Sequence, residues 1–292
     1  MKNIFTVLLI FIFSVLASAQ ITDRFSLMNE FSAEGYTKPL ATAIGTGLNS
    51  GTYYTASVPS LFGFTFSLKG MMIFIPETDK TFDPYLPEGY EQGSTATIFG
   101  DKGNSYAGYD GFIALPPGIN QSFVPLAYPQ VSFATFGTEL MVRFLPNIEL
   151  TENKDLSFWG VGLKHSISQY IPLFPVDIAA QVFYNKFSIT DLVDHKNIAF
   201  NVHASKTLGV LILYGGLQFE STTMDLEYEV DGDPSSADPL LRQDKKVNLS
   251  VDGNNNFRLT LGTALKLAFF ALNVDVNIGS QVAVTSGLNF AF

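Results

Sequence analysis

Apolar and polar residues alternate along most of the chain beyond about residue 60, and this is the period of a β-strand with two different faces. The clearest case is the C-terminal end, where Leu272–Ile278 and Val284–Phe292 carry apolar side chains on one face. The same alternation predicts strands in six earlier stretches: Phe62–Lys69, Phe136–Phe144, Trp159–Ile167, Ile198–His203, Leu211–Glu220 and Phe257–Leu267.

The pattern predicts how these strands are covered. In a soluble sheet, the apolar face of the last strand would need a covering element, but the sequence stops at Phe292. Acyl chains cover that face in a membrane barrel, and closure pairs every strand edge. We therefore expect an all-β fold, an antiparallel transmembrane β-barrel of about ten strands, within a range of roughly eight to twelve. The tenth strand is expected inside Leu40–Ala56.

The N-terminus resembles an export signal. Lys2 precedes an apolar run from Ile4 to Leu16, and Ala17–Ala19 is a small-x-small site that predicts cleavage between Ala19 and Gln20. Residues 1–19 are thus the expected signal peptide. The apolar run is shorter than the roughly 20 residues that a membrane helix needs, so we expect the mature chain in the outer membrane.

Residues 20–292 are expected to form one barrel domain. Within it, 20–57 would hold a short N-terminal helix or plug, since Leu27, Met28 and Phe31 have helical spacing, followed by the first strand. Residues 76–128 are rich in Gly and Pro and are expected to be a long loop, a plug in the lumen, or a further hairpin around Thr95–Phe99 and Gly111–Leu115.

Connection lengths predict the orientation. Barrels of this class have short periplasmic turns and longer outer loops. If the last strand runs towards the periplasm, the connections at 268–270, 207–208 and 171–174 become periplasmic turns, and 152–155, 191–196 and 231–244 become outer loops. In this count, 76–128 would emerge on the periplasmic side.

Composition restricts the partners. Charged residues make up only 15% of the chain, against about 25% in ordinary soluble domains. Loss of Lys2 with the signal peptide leaves 16 Lys and Arg against 27 Asp and Glu, a net charge of about −11. This balance argues against nucleic-acid binding. The chain has no cysteine, so disulfides and thiolate sites are excluded.

Five charged residues fall on faces that the alternation predicts to point into the lumen. A narrow lumen would require them to be paired, so a structural salt-bridge network is favoured and a polar ligand path is the alternative. They are Glu139, Arg143, Lys164, Arg258 and Lys266.

Candidate catalytic chemistry is sparse. Asn201, His203 and Ser205 share one strand face and include the Ser and His of a serine hydrolase, but same-face neighbours on a strand lie roughly 6–7 Å apart, too far for a Ser–His hydrogen bond. No histidine has metal-ligand spacing with another. We expect ordinary lumen lining, with no enzymatic activity, cofactor or metal.

The segment from Met28–Ser32 through Asn49-Ser50-Gly51, together with the terminal Phe292, resembles an uncharacterised family of Gram-negative outer-membrane proteins distantly similar to FadL-type transporters of long-chain fatty acids. Asn49-Ser50-Gly51 stands where those transporters have Asn-Pro-Ala, and by itself it is typical of a turn. Leu288, Phe290 and Phe292 resemble the terminal signal that barrel assembly machinery recognises.

The expected function follows from barrel size. A barrel of about eight strands is filled by side chains, and only about sixteen strands hold an open aqueous channel. We therefore expect binding or transport of a small hydrophobic molecule, with outer-membrane lipid and the assembly machinery as partners. A packed lumen would favour the alternative, a structural or adhesive barrel that works through its outer loops. An outer-membrane lipid hydrolase is the third hypothesis.

Overall fold

The computed structural model describes residues 28, 30–109, 111–151, 154–171, 173–230 and 245–292. The expected signal peptide, its cleavage site at Ala19 and Gln20, and the predicted outer loop at 231–244 lie outside these residues. The described elements are, in order, α1 (Glu30–Leu48), β1 (Gly63–Phe74), β2 (Thr81–Phe82), β3 (Thr95–Ala96), β4 (Ser105–Gly108), β5 (Gly111–Ala114), β6 (Phe123–Thr135), β7 (Thr138–Thr151), β8 (Lys154–Ser166), β9 (Asp177–Ile189), β10 (Val193–Leu208), β11 (Leu211–Val230), β12 (Lys245–Asp252), β13 (Phe257–Leu267), β14 (Phe270–Ile278) and β15 (Val282–Ala291).

Ten of these strands close into an antiparallel barrel, so the predicted fold and strand number are confirmed. Each wall strand pairs with its sequence neighbours in the wall, in the order β1, β6, β7, β8, β9, β10, β11, β13, β14 and β15, and β15 pairs back with β1. β12 extends the wall above β13 by pairing with Thr223–Val230 of β11.

The barrel has two different ends. One end carries two-residue connections at 136–137, 209–210 and 268–269, together with Phe292, and is called the turn end. The opposite end carries the long 75–122 connection and is called the loop end. Phe136 and Ala268 adopt positive φ angles of 49° and 53° in these tight turns. Apart from residues 76–128, the connections lie at the ends that the sequence predicted.

The strand expected inside Leu40–Ala56 is wrong, because Glu30–Leu48 is a 19-residue helix. Leu40, Ile44 and Leu48 recur every four residues, but every residue from Pro39 to Leu48 is buried, so no clear amphipathic pattern marks this part of the helix. The tenth wall strand is β6. The sequence pattern did not predict it, because β6 contains Pro125 and Pro129 and proline is rare within strands. Among the described residues, no helix combines the length and hydrophobicity needed to cross a membrane.

The misplaced strand also put residues 76–128 at the wrong end. With β6 counted, the 75–122 connection lies at the loop end, and Phe123–Tyr128 belongs to the wall. Strands do form in the expected hairpin region, but β3 pairs with β2, and β5 pairs with β4, so they do not pair with each other.

The plug, which comprises α1 and residues 49–57, runs through the lumen from the loop end to the turn end. Near the loop end, Gln281 donates to the carbonyl of Pro39 at 3.1 Å, and Asn254 N donates to Thr42 Oγ1 at 3.0 Å. At the turn end, the backbone amides of Phe136 and Gly137 donate to the carbonyls of Ser60 and Pro59, both at 3.1 Å. The chain then turns back into β1.

The lumen has two zones of different polarity. In the loop-end half, α1 packs against buried apolar wall residues, which include Ile73, Val124, Leu156, Phe158, Phe187, Met224, Leu226 and Val251. Towards the turn end, the inward-facing residues are mostly polar and buried, and include Ser67, Lys69, Gln130, Arg143, Lys164, Gln181, Asn201 and Asn273. Hydrophobic contacts therefore hold the helix, and hydrogen bonds hold residues 49–57.

The outer surface carries a belt of exposed apolar side chains. On β13, the belt runs from Phe257 to Leu267, ten residues apart, with no charged side chain on the outward face between them. At about 3.3 Å per residue and a tilt of about 40°, this span is about 25 Å high. Aromatic residues flank the belt, with Trp159 beside Tyr184 at 5.5 Å towards the loop end and Phe269 beside Phe292 at 6.0 Å at the turn end.

Candidate functional site

The barrel wall is incompletely paired between β6 and β7. Their register covers only Gln130–Thr135 and Thr138–Arg143, at the turn-end side. Phe123–Pro129 of β6 still pairs with β1, and the remainder of β7 pairs with β8. The unpaired stretch, between Phe123–Pro129 and Phe144–Thr151, is called the wall gap.

Three prolines explain why the wall gap stays unpaired. Ile75 N donates to Ser122 O at 2.9 Å, and backbone direction alternates along a strand, so the nitrogens of Pro125 and Pro129 face β7. Proline has no N–H to donate. Pro146 lies on the opposite edge, in a bulge of β7 between Leu145 and Ile148. Prolines on both strands therefore disfavour regular backbone hydrogen bonding between β6 and β7 in this stretch.

The wall gap opens onto the apolar zone of the lumen. Leu126, Leu145 and Ile148 face inward but are only half-buried, although they pack against the buried core beside α1. The side chain of Leu126 fills the space that a Cβ atom on Gly47 would need. Glycine in the helix therefore allows the edge of the wall gap to pack directly against the plug.

Arg143 is the centre of the polar contacts with the plug. Its side chain is fully buried and donates to the carbonyl oxygens of Leu48 at 2.8 Å and Ser50 at 3.3 Å. The guanidinium group also lies over the rings of Tyr128, at 4.7 Å, and Phe183, at 4.2 Å. These contacts satisfy a buried cation without a carboxylate partner.

Arg258 forms the second contact between a buried cation and the plug. Its guanidinium group pairs with Glu220 at 2.8 Å, and both side chains are at most 2% exposed. Arg258 also donates to the Ser50 hydroxyl group at 2.5 Å. The Asn49-Ser50-Gly51 motif, where Gly51 takes a positive φ of 64°, thus ends the helix at the point where both arginines converge.

Glu139 and Lys164 form an ion pair near the turn end, and Lys164 also donates to the carbonyl of Thr55 at 3.4 Å. They line a cavity of about 190 Å³ with Tyr54 and Lys266. Lys266 is exposed at the rim and forms no ion pair with a described residue. The Lys69 ammonium group lies over the ring of Tyr54, 5.4 Å from its centroid.

The five predicted lumen charges thus lie in three places. Arg143 and Arg258 contact the plug, Glu139 and Lys164 form an ion pair near the turn end, and Lys266 is exposed at the rim. Lys69 and Asp275 are further buried charges that were not among the predicted lumen charges, although the same alternation places them inward. Lys69 donates to Asn289 at 2.8 Å, and Asp275 accepts from Tyr214 at 2.7 Å.

The Asn201, His203 and Ser205 side chains do share one inward face, as expected. His203 contacts Asn201 at 2.7 Å and stacks on Tyr53 with ring centroids 3.8 Å apart. Ser205 instead accepts a hydrogen bond from the Ala56 amide at 2.9 Å. Both side chains therefore contact the plug and are not bonded to each other. The described residues also contain no group of three His, Asp or Glu side chains that could hold a metal ion.

The three predicted assembly residues face outward along β15. Leu288 pairs across the strands with Leu68, and Phe290 with Phe66. The backbone of Phe292 exchanges hydrogen bonds with Phe64 at 2.8 and 3.0 Å, which closes the wall at its last residue. Recognition of these residues by assembly machinery stays a prediction.

A closed antiparallel barrel with an apolar belt and a plugged lumen defines the chain as a transmembrane β-barrel protein. It belongs to the family of unknown function DUF6588, whose match spans residues 1–292. No curated protein matches the chain. The resemblance to FadL-type transporters is not tested by these findings and stays a prediction.

Several solved barrels are similar at low levels. LpxR from Salmonella typhimurium is 10% identical, with a TM-score of 0.32, and the match covers 78% of this chain and 99% of that one. The translocator domain of autotransporter NalP from Neisseria meningitidis is 7% identical, with a TM-score of 0.29, over 92% and 99% of the two chains. OmpT from Vibrio cholerae is 8% identical, with a TM-score of 0.27, over 80% and 99%. These likenesses carry no argument about ligand or activity.

Proposed function

We propose that this protein is an outer-membrane barrel that does not conduct solutes and that captures one lipid-like hydrophobic molecule through the wall gap. The observation that carries the proposal is the coincidence of the unpaired wall between β6 and β7 with the apolar zone of the lumen. A molecule dissolved in the bilayer could reach that zone without crossing water.

The outer-membrane location is supported by the belt and by the expected signal peptide. The belt is about 25 Å high, as is typical of outer-membrane barrels. A barrel satisfies its backbone groups between strands, which allows it to span a bilayer without a membrane helix. Heat-modifiable migration on SDS gels and recovery in the outer-membrane fraction test this location, and recovery as soluble periplasmic protein would refute it.

The plug argues against a general porin. It runs the length of the lumen, and its lower part is bound by side chains from wall strands on several sides. We expect negligible swelling of liposomes in small sugars. Rapid swelling would show that the plug leaves an open path.

Ligand capture is tested by native mass spectrometry and lipid extraction of the purified protein. Leu126→Gln places an amide on the edge of the wall gap and should reduce the co-purified lipid-like ligand. Val247→Gln is the matched control, because Val247 is also a partly buried residue packed against the apolar core but lies on β12, away from the gap. Equal ligand content in both variants and the parent would refute capture through the gap.

A structural or adhesive barrel is the second candidate, and the packing of the lumen favours it. The 75–122 connection folds over the loop end and contacts the plug, since the Tyr36 hydroxyl group donates to the carbonyl of Pro117 at 2.9 Å. If no ligand co-purifies and the wall gap contains no lipid, this candidate becomes the better one.

A further inference from the structure

The plug places the two ends of the described chain at opposite ends of the barrel. A barrel with an even number of wall strands normally leaves both termini on the turn side. Here α1 begins near the loop end, where Phe31 contacts Tyr85 at 5.5 Å and Gly35 lies against Phe82 of β2. The C-terminal Phe292 lies at the turn end. The chain has therefore crossed the full wall height once inside the lumen.

The wall holds this crossing segment mainly by its backbone. Five side chains from five different strands donate to plug carbonyl groups: Arg143 to Leu48 at 2.8 Å, Gln218 to Asn49 at 3.2 Å, Tyr128 to Ser50 at 2.7 Å, Gln181 to Thr52 at 3.3 Å and Lys164 to Thr55 at 3.4 Å. Each residue of a polypeptide offers such a carbonyl, so these contacts do not depend on the side chains of the segment.

The donors also follow the direction of the segment. Arg143, Gln218 and Tyr128 contact Leu48, Asn49 and Ser50, while Gln181 and Lys164 contact Thr52 and Thr55, closer to the turn end. Lys164 lies beside the turn-end cavity, and Arg143 lies below the apolar zone. The polar half of the lumen thus forms a track of donors along residues 48–55 of the plug.

We infer that the lumen is a polypeptide-binding conduit whose occupant is the chain's own N-terminal segment, which crosses the outer membrane inside the barrel and is presented at the loop end. The inference rests on the outer-membrane location proposed above, but not on capture of a hydrophobic molecule. Outer-membrane fractionation and heat modifiability test that location separately, so the two can fail independently.

An epitope inserted between Arg24 and Phe25 of the full-length chain tests the crossing. We expect antibody to bind this epitope on intact cells. A second epitope inserted between Gly209 and Val210, at the turn end, should be detected only after the outer membrane is permeabilised. If the first epitope also requires permeabilisation, or if the second is detected on intact cells, the inference is wrong.

The backbone contacts are tested by a double variant of the wall donors and by a control variant of the plug. Gln181→Leu combined with Gln218→Leu removes the donors to the Thr52 and Asn49 carbonyls, and Thr52→Ala changes a plug side chain but keeps its carbonyl. In heat-modifiable, outer-membrane protein, surface detection of the Arg24 epitope should fall several-fold in Gln181→Leu combined with Gln218→Leu, and should be unchanged in Thr52→Ala. Unchanged detection in the double variant, or an equal loss in Thr52→Ala, would overturn recognition through the backbone.

Discussion

The hydroxyl group of Tyr128 donates a 2.7 Å hydrogen bond to the carbonyl oxygen of Ser50, and this bond joins the edge of the wall gap to the plug. Tyr128 belongs to the half of β6 that lacks a partner in β7. Its ring also contacts Phe158 at 5.3 Å and lies under Arg143. The position of β6 and the position of the plug are therefore coupled through one side chain.

Tyr128→Phe should keep the ring contacts and lose this bond. Because Ser50 O retains a weaker bond from Arg143, we expect a loss of about 1 kcal/mol in the free energy of unfolding. The midpoint of heat-induced unfolding in detergent measures this loss. Tyr184→Phe, which alters a tyrosine on the outer face, is the control and should leave the midpoint nearly unchanged.

Arg258→Met should destabilise the barrel more strongly, because it leaves the Glu220 carboxylate buried without its cation. We expect a loss of about 3–5 kcal/mol, the range for one removed partner of a buried pair. The double variant Arg258→Met and Glu220→Gln removes both charges and should recover much of the loss. A double variant as unstable as Arg258→Met would show that Arg258 stabilises mainly through its bond to Ser50.

The wall could largely be predicted from sequence, whereas the plug could not. In Leu272–Ile278 and the other alternating wall strands, one face contacts lipid and the other faces the lumen. Each of these strands can therefore be recognised from its own alternation of apolar and polar residues. The helix carries no such signal over Pro39–Leu48, since wall residues surround this part and every residue in it is buried. β6 was missed because Pro125 and Pro129 are typical of loops.

The contacts of the lumen charges could not be predicted either, because most of them involve the plug. Alternation placed Glu139, Arg143, Lys164, Arg258 and Lys266 on inward faces, but it could not say what they contact. Arg143 binds carbonyl oxygens, and no pattern of side chains marks a carbonyl. Asn49-Ser50-Gly51 showed only a turn, because its role in the lumen requires the wall arginines around it.

The wall gap is directly testable, since the chain contains no cysteine. Val131 and Val142 are paired across β6 and β7, so Val131→Cys with Val142→Cys should form a disulfide under mild oxidation. Leu126→Cys with Asn147→Cys continues the same register into the unpaired stretch, leaves all three prolines in place and should not form one. Equal cross-linking of both pairs would show that the wall is closed there in the membrane.

The hydrolase hypothesis is the remaining functional alternative, and it makes a separate prediction. A serine nucleophile needs its base within about 3 Å, yet Ser205 binds the Ala56 amide, and His203 binds Asn201 and stacks on Tyr53. We therefore expect purified protein to release no fatty acid from phospholipid vesicles. Ser205→Ala and His203→Ala should alter only how the plug is held, seen as a lower unfolding midpoint. Phospholipase activity that disappears in either variant would make the lumen an active site.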